Sequence, residues 1–483
     1  MEIFGNPVPP AAVRRAVRRR RAFARRFAFD PDAAPRLGSV PETTLADDLP
    51  LDRIVPADTP GASSPVAPST PAVVVGTLRM GYGHYRIGLA LASAARALGV
   101  RPLWFDLLDL PDTPGAAAIR HLEGLYNLGS RLSRRFPLFD RLYWEHLTAR
   151  GFRSLSYHAG DREFCTLLAP AFRDLDPALP LAGTHSWVCQ AALHAGPRRV
   201  VNAIPDNWPL ALHLSEGAVH AVQSPSAWLG YRLLSGMGRP GEILRPMPAG
   251  DLILAGHYVA HDLAAHLESD AADRIARIDR RDPPRLLVSI GGAGTQADLA
   301  ARVVLHLAPR IRDGAVALFV NCGEHLPALD FVQRAAAASG LEPVLHTVWE
   351  DTRDFAAAAR SAAVRGLHLF RHDSVFPAVA TTDRLLRATD LLLTKPSELA
   401  FAPVPRLFLP RVGGHEAWGA IRAAELEEGT AECPDAPRLL QTLDLLLHDP
   451  DPLRRFNEAI LRHHRDGLYG GAYRVIELAL ERP

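Results

Sequence analysis

From Pro71 onward the chain alternates short apolar runs with helix-length segments, and this alternation begins twice. Ala72-Val73-Val74-Val75 leads into the loop Arg79-Met80-Gly81-Tyr82-Gly83-His84, then into a helical stretch closed by Gly99, and Arg101 to Asp106 supplies the next run. Arg199 to Ile204 repeats the pattern and ends at Pro205-Asp206. After about Asp282 it restarts with Arg285 to Ile290, the loop Gly291-Gly292-Ala293-Gly294-Thr295, and further runs at 315–321, 343–346, 367–370 and 391–394. Uninterrupted apolar runs separated by helices are the signature of parallel strands buried on both faces. The expectation is an α/β chain of two Rossmann-like, doubly wound domains.

At 483 residues there is room for both domains and more. The predicted divisions are a basic arm and Pro/Ala-rich linker over 1–70, a first domain over 71–255, a second over 256–451, and a helical tail over 452–483 that crosses back to the first. The arm carries Arg14-Arg15-Ala16-Val17-Arg18-Arg19-Arg20-Arg21 with Phe23, Phe27 and Phe29, and reads as a short basic helix in a mostly disordered segment. Residues 11–29 could dock on an anionic membrane surface; a solvated tail or an arm packed on the body fits the same residues. Formal net charge is +1, which gives the whole chain no polyanion-binding character, so no nucleic-acid partner is expected. The four cysteines are scattered, and no apolar stretch approaches the roughly 20 residues that span a bilayer. Without a signal-peptide pattern, the expected location is the cytoplasm.

The basic residues number 54, yet lysine occurs once, at Lys395 in Thr394-Lys395-Pro396-Ser397-Glu398. A compact ammonium at the end of a strand is a candidate anion site. Gly291 to Thr295 offers bare amides before a helix, where a diphosphate is stabilised by N–H groups and the macrodipole. Gly81-Tyr82-Gly83-His84 holds the equivalent place in the first domain and adds a histidine able to act as a base near neutral pH. Arg411-Val412-Gly413-Gly414-His415-Glu416 follows the lysine segment, and Glu398 and Glu416 could hold ribose or sugar hydroxyls. His257 and His261 lack the glutamate of a zinc motif, no Asp-x-Asp follows a strand, and no metal is expected.

As an ordered set, these motifs resemble the monogalactosyldiacylglycerol synthase and MurG group of family 28-like glycosyltransferases. Gly81-Tyr82-Gly83-His84 is similar to that group's glycine-rich histidine loop, and Thr184-His185 and Pro205-Asp206 with His213 to its Thr-His and Thr-Asp…His elements. Ser289 to Gly294 is similar to its donor-side loop, and Thr389-Asp390-Leu391 through Lys395-Pro396 to its Asp-to-Lys-Pro segment. Where the group has Gly-Gly after Lys-Pro, this chain has Ser397-Glu398, and the following helix is shortened to Leu399–Pro403. The resemblance implies a GT-B fold with a central cleft and an inverting, metal-independent sugar transfer without a cofactor. The donor would be a nucleotide sugar (UDP-linked), and the acceptor a lipid or membrane-associated molecule at the inner face of the cell membrane. His84 would be the base, with Asp206 orienting it. Gly81, Tyr82, Gly83, His185 and His213 would serve the acceptor. Gly291, Gly292, Gly294, Thr295, Lys395, Ser397, Glu398, Gly413, Gly414, His415 and Glu416 would serve the donor. A nucleotide-sugar 2-epimerase-like enzyme and a non-catalytic nucleotide-binding protein stay open as alternatives.

Overall fold

A computed structural model describes residues 1–63, 71–136, 138, 142–143, 147, 151–292, 294 and 296–481. Ten strands belong to the first half: β1 (Glu2–Ile3), β2 (Asn6–Pro7), β3 (Leu37–Pro41), β4 (Asp52–Pro56), β5 (Ala72–Thr77), β6 (Arg101–Asp106), β7 (Leu181–Gly183), β8 (Val200–Ala203), β9 (Val219–Val222) and β10 (Leu252–Leu254). Apart from the β1–β2 pair they form one sheet in the order β10-β9-β8-β7-β5-β6-β4-β3, parallel except at β3–β4. The second half has β11 (Arg285–Ser289), β12 (Ala317–Asn321), β13 (Val344–His346), β14 (Gly366–Phe370), β15 (Leu391–Thr394), β16 (Arg406–Phe408) and β17 (Gly429–Glu432). These make a parallel sheet in the order β13-β14-β12-β11-β15-β16-β17. Val73, Val74 and Val75, like Leu391, Leu392 and Leu393, have no solvent exposure at all, as expected of strands with helices on both faces.

Each sheet has a point where the strand order reverses. In the first, the chain runs from β5 to β6 on one side and returns to β7 on the other; in the second, β12 and β15 flank β11. The loops leaving the two central strands therefore open at crevices, which is where parallel α/β sheets bind ligands. The C-terminal helix Gly471–Leu480 buries Ala472, Val475, Ile476 and Ala479 in the first domain's core, against the helix Tyr82–Ala97 that follows β5. Two doubly wound domains with their crevices turned toward each other constitute the GT-B architecture.

The N-terminal segment corrects the expectation of a mostly disordered arm. The helix Pro10–Arg26 buries Ala12 and Ala16 and lies along the helix Leu155–Leu168, with Phe23 edge-on to Phe164 at 5.5 Å. Alanines once per turn let two helices approach closely, a face that a search for large apolar residues overlooks. The stretch expected as linker contributes β3 and β4 to the edge of the first sheet, and Phe4 N donates to Glu216 at 2.7 Å. Residues 64–70 of that stretch lie outside the described residues.

Candidate functional site

On the first-domain side the site is built by the loop after β5. Gly81 sits at φ +103°, a conformation reserved in practice for glycine, and turns the chain into the helix that begins at Tyr82. His84 lies in that helix's first turn, and its Nδ1 is 2.7 Å from the carbonyl oxygen of Thr184, which follows β7. A carbonyl can only accept, so Nδ1 carries the proton and the neutral ring leaves Nε2 as a free lone pair. Burial pushes the His84 pKa below the usual histidine value and outweighs the opposing effects of the Thr184 bond, Asp206 and Glu398. Neutral at pH 7 with Nε2 unprotonated, His84 has the form a general base requires.

His185 stands beside it at a ring separation of 4.8 Å, and its Nδ1 accepts from Trp187 N at 3.1 Å. Burial, reinforced by His84 and His213, holds its pKa well below the ordinary value. Asp206 sits 3.3 Å from His213 Nε2, and His213 Nδ1 meets the Tyr231 hydroxyl at 2.8 Å. Even so, burial dominates and brings His213 down to about 4. Asp206 thus makes its direct contact with His213 and reaches His84 only through its field, whereas the group that orients His84 is the Thr184 carbonyl.

The facing side comes from the loops after β11 and β15, the strands on either side of the second sheet's switch point. Gly294, at φ +64°, donates to Gly291 O at 2.8 Å and tightens the turn ahead of the helix Ala297–Arg312. Thr295 lies outside the described residues. A β-carbon on Gly291 would stand 3.2 Å from Lys395 Cε, so the lysine stem lies along the glycine loop. The Lys395 ammonium is paired with Glu416, whose other oxygen accepts from Val412 N at 2.7 Å and Gly413 N at 3.3 Å. Burial would raise the Glu416 pKa, but Lys395, His415 and these hydrogen bonds win and hold it at about 2. Gly413 and Gly414 form the turn that brings Glu416 to the lysine. Three buried side-chain atoms beside these loops have no hydrogen-bond partner: Ser397 Oγ, His415 Nδ1 and His325 Nε2, the last on a ring 3.3 Å from where a Gly294 β-carbon would be. Unpaired buried polar atoms are rare in folded proteins, and these three lie on or beside the loops of this wall.

The two sides touch. A β-carbon on Gly292 would stand 2.6 Å from Tyr82 N, and one on Gly83 would stand 3.2 Å from a Glu398 carboxylate oxygen. The Tyr82 hydroxyl accepts from Glu324 N at 2.8 Å, and Arg79 grips the Glu324 carboxylate at 2.7 and 2.8 Å. Asn207 donates to Trp418 O at 3.3 Å, and the Trp208 and Trp418 rings meet edge-on at 5.1 Å. The cleft is closed, and glycines permit that approach.

Of the nominated residues, the structure gathers Gly81, Tyr82, Gly83, His84, His185, Asp206 and His213 on one wall, and Gly291, Gly292, Gly294, Lys395, Ser397, Glu398, Gly413, Gly414, His415 and Glu416 on the other. Arg79, Glu324 and His325 were missed, and Thr184 was named only as part of the Thr-His element, with no role of its own. His325 and Glu324 end the run Asn321-Cys322-Gly323-Glu324-His325 after β12, a strand–glycine–helix pattern like those nominated. Thr184 acts through its backbone and leaves no side-chain signal. Among the described residues no group of three or more His, Cys, Asp and Glu has metal-holding geometry.

The fold and the facing crevices define a two-domain protein of GT-B architecture with a histidine-lined wall opposed to a glycine–lysine wall. Residues 2–233 match the family model of a domain of unknown function, DUF6937, and residues 247–480 that of a second, DUF6938. The sequence matches no curated protein. Among solved structures, a UDP-GlcNAc 2-epimerase from Neisseria meningitidis bound to UDP-GlcNAc is similar at 11% identity and a TM-score of 0.43, covering 86% of this chain and 100% of that one. The S. aureus MnaA–UDP structure follows at 10% identity and 0.44, covering 86% and 99%. The glycosyltransferase VinC in complex with dTDP follows at 12% and 0.39, covering 84% and 99%. At these identities and scores the likeness says nothing of substrate or reaction.

Proposed function

We propose that the protein is a glycosyltransferase that moves a sugar from a nucleotide-sugar donor, UDP-linked by resemblance to the MurG-like group, to a lipid or membrane-associated acceptor. The observation that carries this reading is the opposition of a neutral His84, its Nε2 unprotonated, to a glycine loop and a lysine across one cleft. The acceptor would bind the first domain and the donor the second. His84 Nε2 takes the acceptor hydroxyl proton as that oxygen attacks the anomeric carbon. The bond from that carbon to the diphosphate breaks with inversion, and the nucleoside diphosphate leaves with the electron pair. The backbone amide at Gly292, with the Lys395 ammonium, would stabilise the departing charge, the kind of preorganised interaction that contributes most in such reactions. Glu416 in this reading is the anion that a diphosphate displaces from Lys395, and the contact between Gly292 and Tyr82 means the walls part to admit a donor. Ser397 Oγ, His415 Nδ1 and His325 Nε2 are groups that a ligand there would satisfy. The exposed arginines of the N-terminal helix would hold the enzyme at an anionic membrane surface.

A second reading, a nucleotide-binding protein without transfer, is favoured by the same pairing, since Glu416 already neutralises Lys395 in the closed cleft. Incubation with UDP- and dTDP-sugars and a membrane lipid extract separates the readings. Transfer releases free nucleoside diphosphate only when extract is present. Binding without release supports the second reading, and a donor altered at the sugar without extract supports an epimerase-like enzyme. In His84→Ala, release falls by roughly 10²-fold or more while donor affinity is kept. Lost donor affinity with unchanged turnover of the bound complex removes His84 from the base role.

A further inference from the structure

At the amino ends of the second sheet's strands, away from the cleft, a cavity of about 720 Å³ opens between the helix Leu267–Arg280 and the C-terminal end of the helix Trp349–Ser361. Its wall carries six arginines: Arg277, Arg280, Arg285, Arg360, Arg365 and Arg387. Three are matched by carboxylates. Arg277 binds Asp390 at 2.7 and 2.9 Å, Arg387 binds Asp270 at 3.0 Å, and Arg280 binds Asp282 at 2.7 Å. Among the described residues, Arg285, Arg360 and Arg365 are in no ion pair, and of the carboxylates on the wall only Asp273 is likewise unpaired. The cavity therefore keeps an excess of positive charge after its internal pairs are formed.

Arg285 is buried, and its guanidinium donates to backbone carbonyls, Ala359 O and, at 3.0 Å, Ala362 O. Asp390 lies close by, but its carboxylate is taken by Arg277 and by the Arg285 backbone N–H at 2.8 Å, so the Arg285 guanidinium itself holds no carboxylate. Burial first, and then the neighbouring Arg277, push its pKa down against the opposing pull of Asp390 and Asp282. Arg360 and Arg365 project at the rim, exposed and with their forks unengaged. Guanidinium forks match phosphate oxygens in bidentate geometry, and a concavity of this volume holds a nucleotide-sized molecule.

We propose that this cavity binds a small phosphate-bearing anion, a phosphomonoester or a diphosphate, at a site separate from the cleft. Its floor is Arg285 and Arg277, its rim Arg360 and Arg365. The site lies at the amino end of β11 and β14, where strands begin, so it does not compete with a donor held at their carboxyl ends.

The test uses the full chain and inorganic pyrophosphate as probe, followed by calorimetry and thermal melting. It is run in a Lys395→Met background so that the cleft's own anion site is disabled. Saturable, salt-sensitive binding is expected there. Adding Arg360→Ala and Arg365→Ala should weaken it by tenfold or more without lowering the melting temperature of the free protein, because both side chains are exposed and unpaired. Adding Arg360→Glu and Arg365→Glu should abolish it. Absence of saturable binding below millimolar pyrophosphate in the Lys395→Met protein overturns the proposal. So does binding that is unchanged by the paired arginine substitutions, or that sulfate matches at equal ionic strength.

Discussion

His84 and Lys395 show how one bond sets what a side chain can do. The Thr184 carbonyl fixes which His84 nitrogen holds the proton, and burial keeps the ring neutral. Lys395 has its stem along Gly291 and its charge on Glu416, in a space shaped for an ammonium. A guanidinium is larger and planar, and there it would collide with the glycine loop. Lys395→Arg should therefore bind nucleotide nearly as poorly as Lys395→Met. The loss should be about ten- to a hundredfold, from a charge-assisted hydrogen bond of roughly 1.5–3 kcal/mol. Titration with UDP, with melting curves to verify folding, checks this; wild-type affinity in the arginine variant would mean that any positive charge suffices.

At the scale of elements, the N-terminal helix has two faces with separate duties. Ala12, Ala16 and Phe23 face the helix Leu155–Leu168, and Arg20 pairs with Glu163 at 3.0 Å. Arg14, Arg15, Arg18, Arg19, Arg21, Arg25 and Arg26 face solvent. Phe23→Ala should cost about 1–3 kcal/mol, the order expected for removing a largely buried aromatic ring, read from urea unfolding. Removal of residues 1–29 should lower the melting temperature, because it uncovers Leu155, Ala159 and Phe164 on the facing helix. Exchange of Arg14, Arg15, Arg18, Arg21 and Arg25 for glutamine, leaving Arg19 and Arg26 on the Phe23 and Phe27 rings, should change stability by no more than about 0.5 kcal/mol per site and, together in one variant, weaken binding to anionic vesicles in a salt-sensitive way. Equal vesicle binding by that variant would exclude the helix as a docking surface. The composition of this segment suggested a tail, because small residues carry little hydrophobic signal. Its packing depends on a partner helix about 140 residues away, which local periodicity does not register.

For the whole molecule, both halves bury histidines, and those of the first domain illustrate the consequence. His213 and His220 are both brought down to about 4, chiefly by burial, and His158 to about 3. A histidine whose pKa is lower folded than unfolded contributes stability that is complete above the unfolded value near 6.5. That contribution is lost progressively as pH falls toward the folded value. Stability should therefore decline between about pH 6.5 and 4, by on the order of 2–3 kcal/mol for each such group. Glu416 acts in a lower window: held at about 2, its contribution is present above the ordinary carboxylate range and is lost only as pH falls through it. Melting temperatures measured from pH 7.5 to 4 check this, with His220→Asn expected to flatten the upper part of the curve. An unchanged slope in that variant would show that His220 protonates without penalty.

The sequence by itself determined the strands and the loops that leave them. Apolar runs such as Val73-Val74-Val75 and Leu391-Leu392-Leu393 can be satisfied only in the interior of a parallel sheet, and glycines at 81, 292 and 294 mark backbone that turns sharply or is approached closely. These are properties of short segments, so the positions of His84 and Lys395 at strand ends were legible from residues alone. Only the tertiary structure decided which groups meet. The Thr184 carbonyl on His84, Glu416 on Lys395, the closure of Gly292 on Tyr82 and the unpaired arginines around Arg285 all join segments distant in the chain. Burial also lies in the packing, and it is burial that keeps His84 neutral and overrides Asp206 at His213.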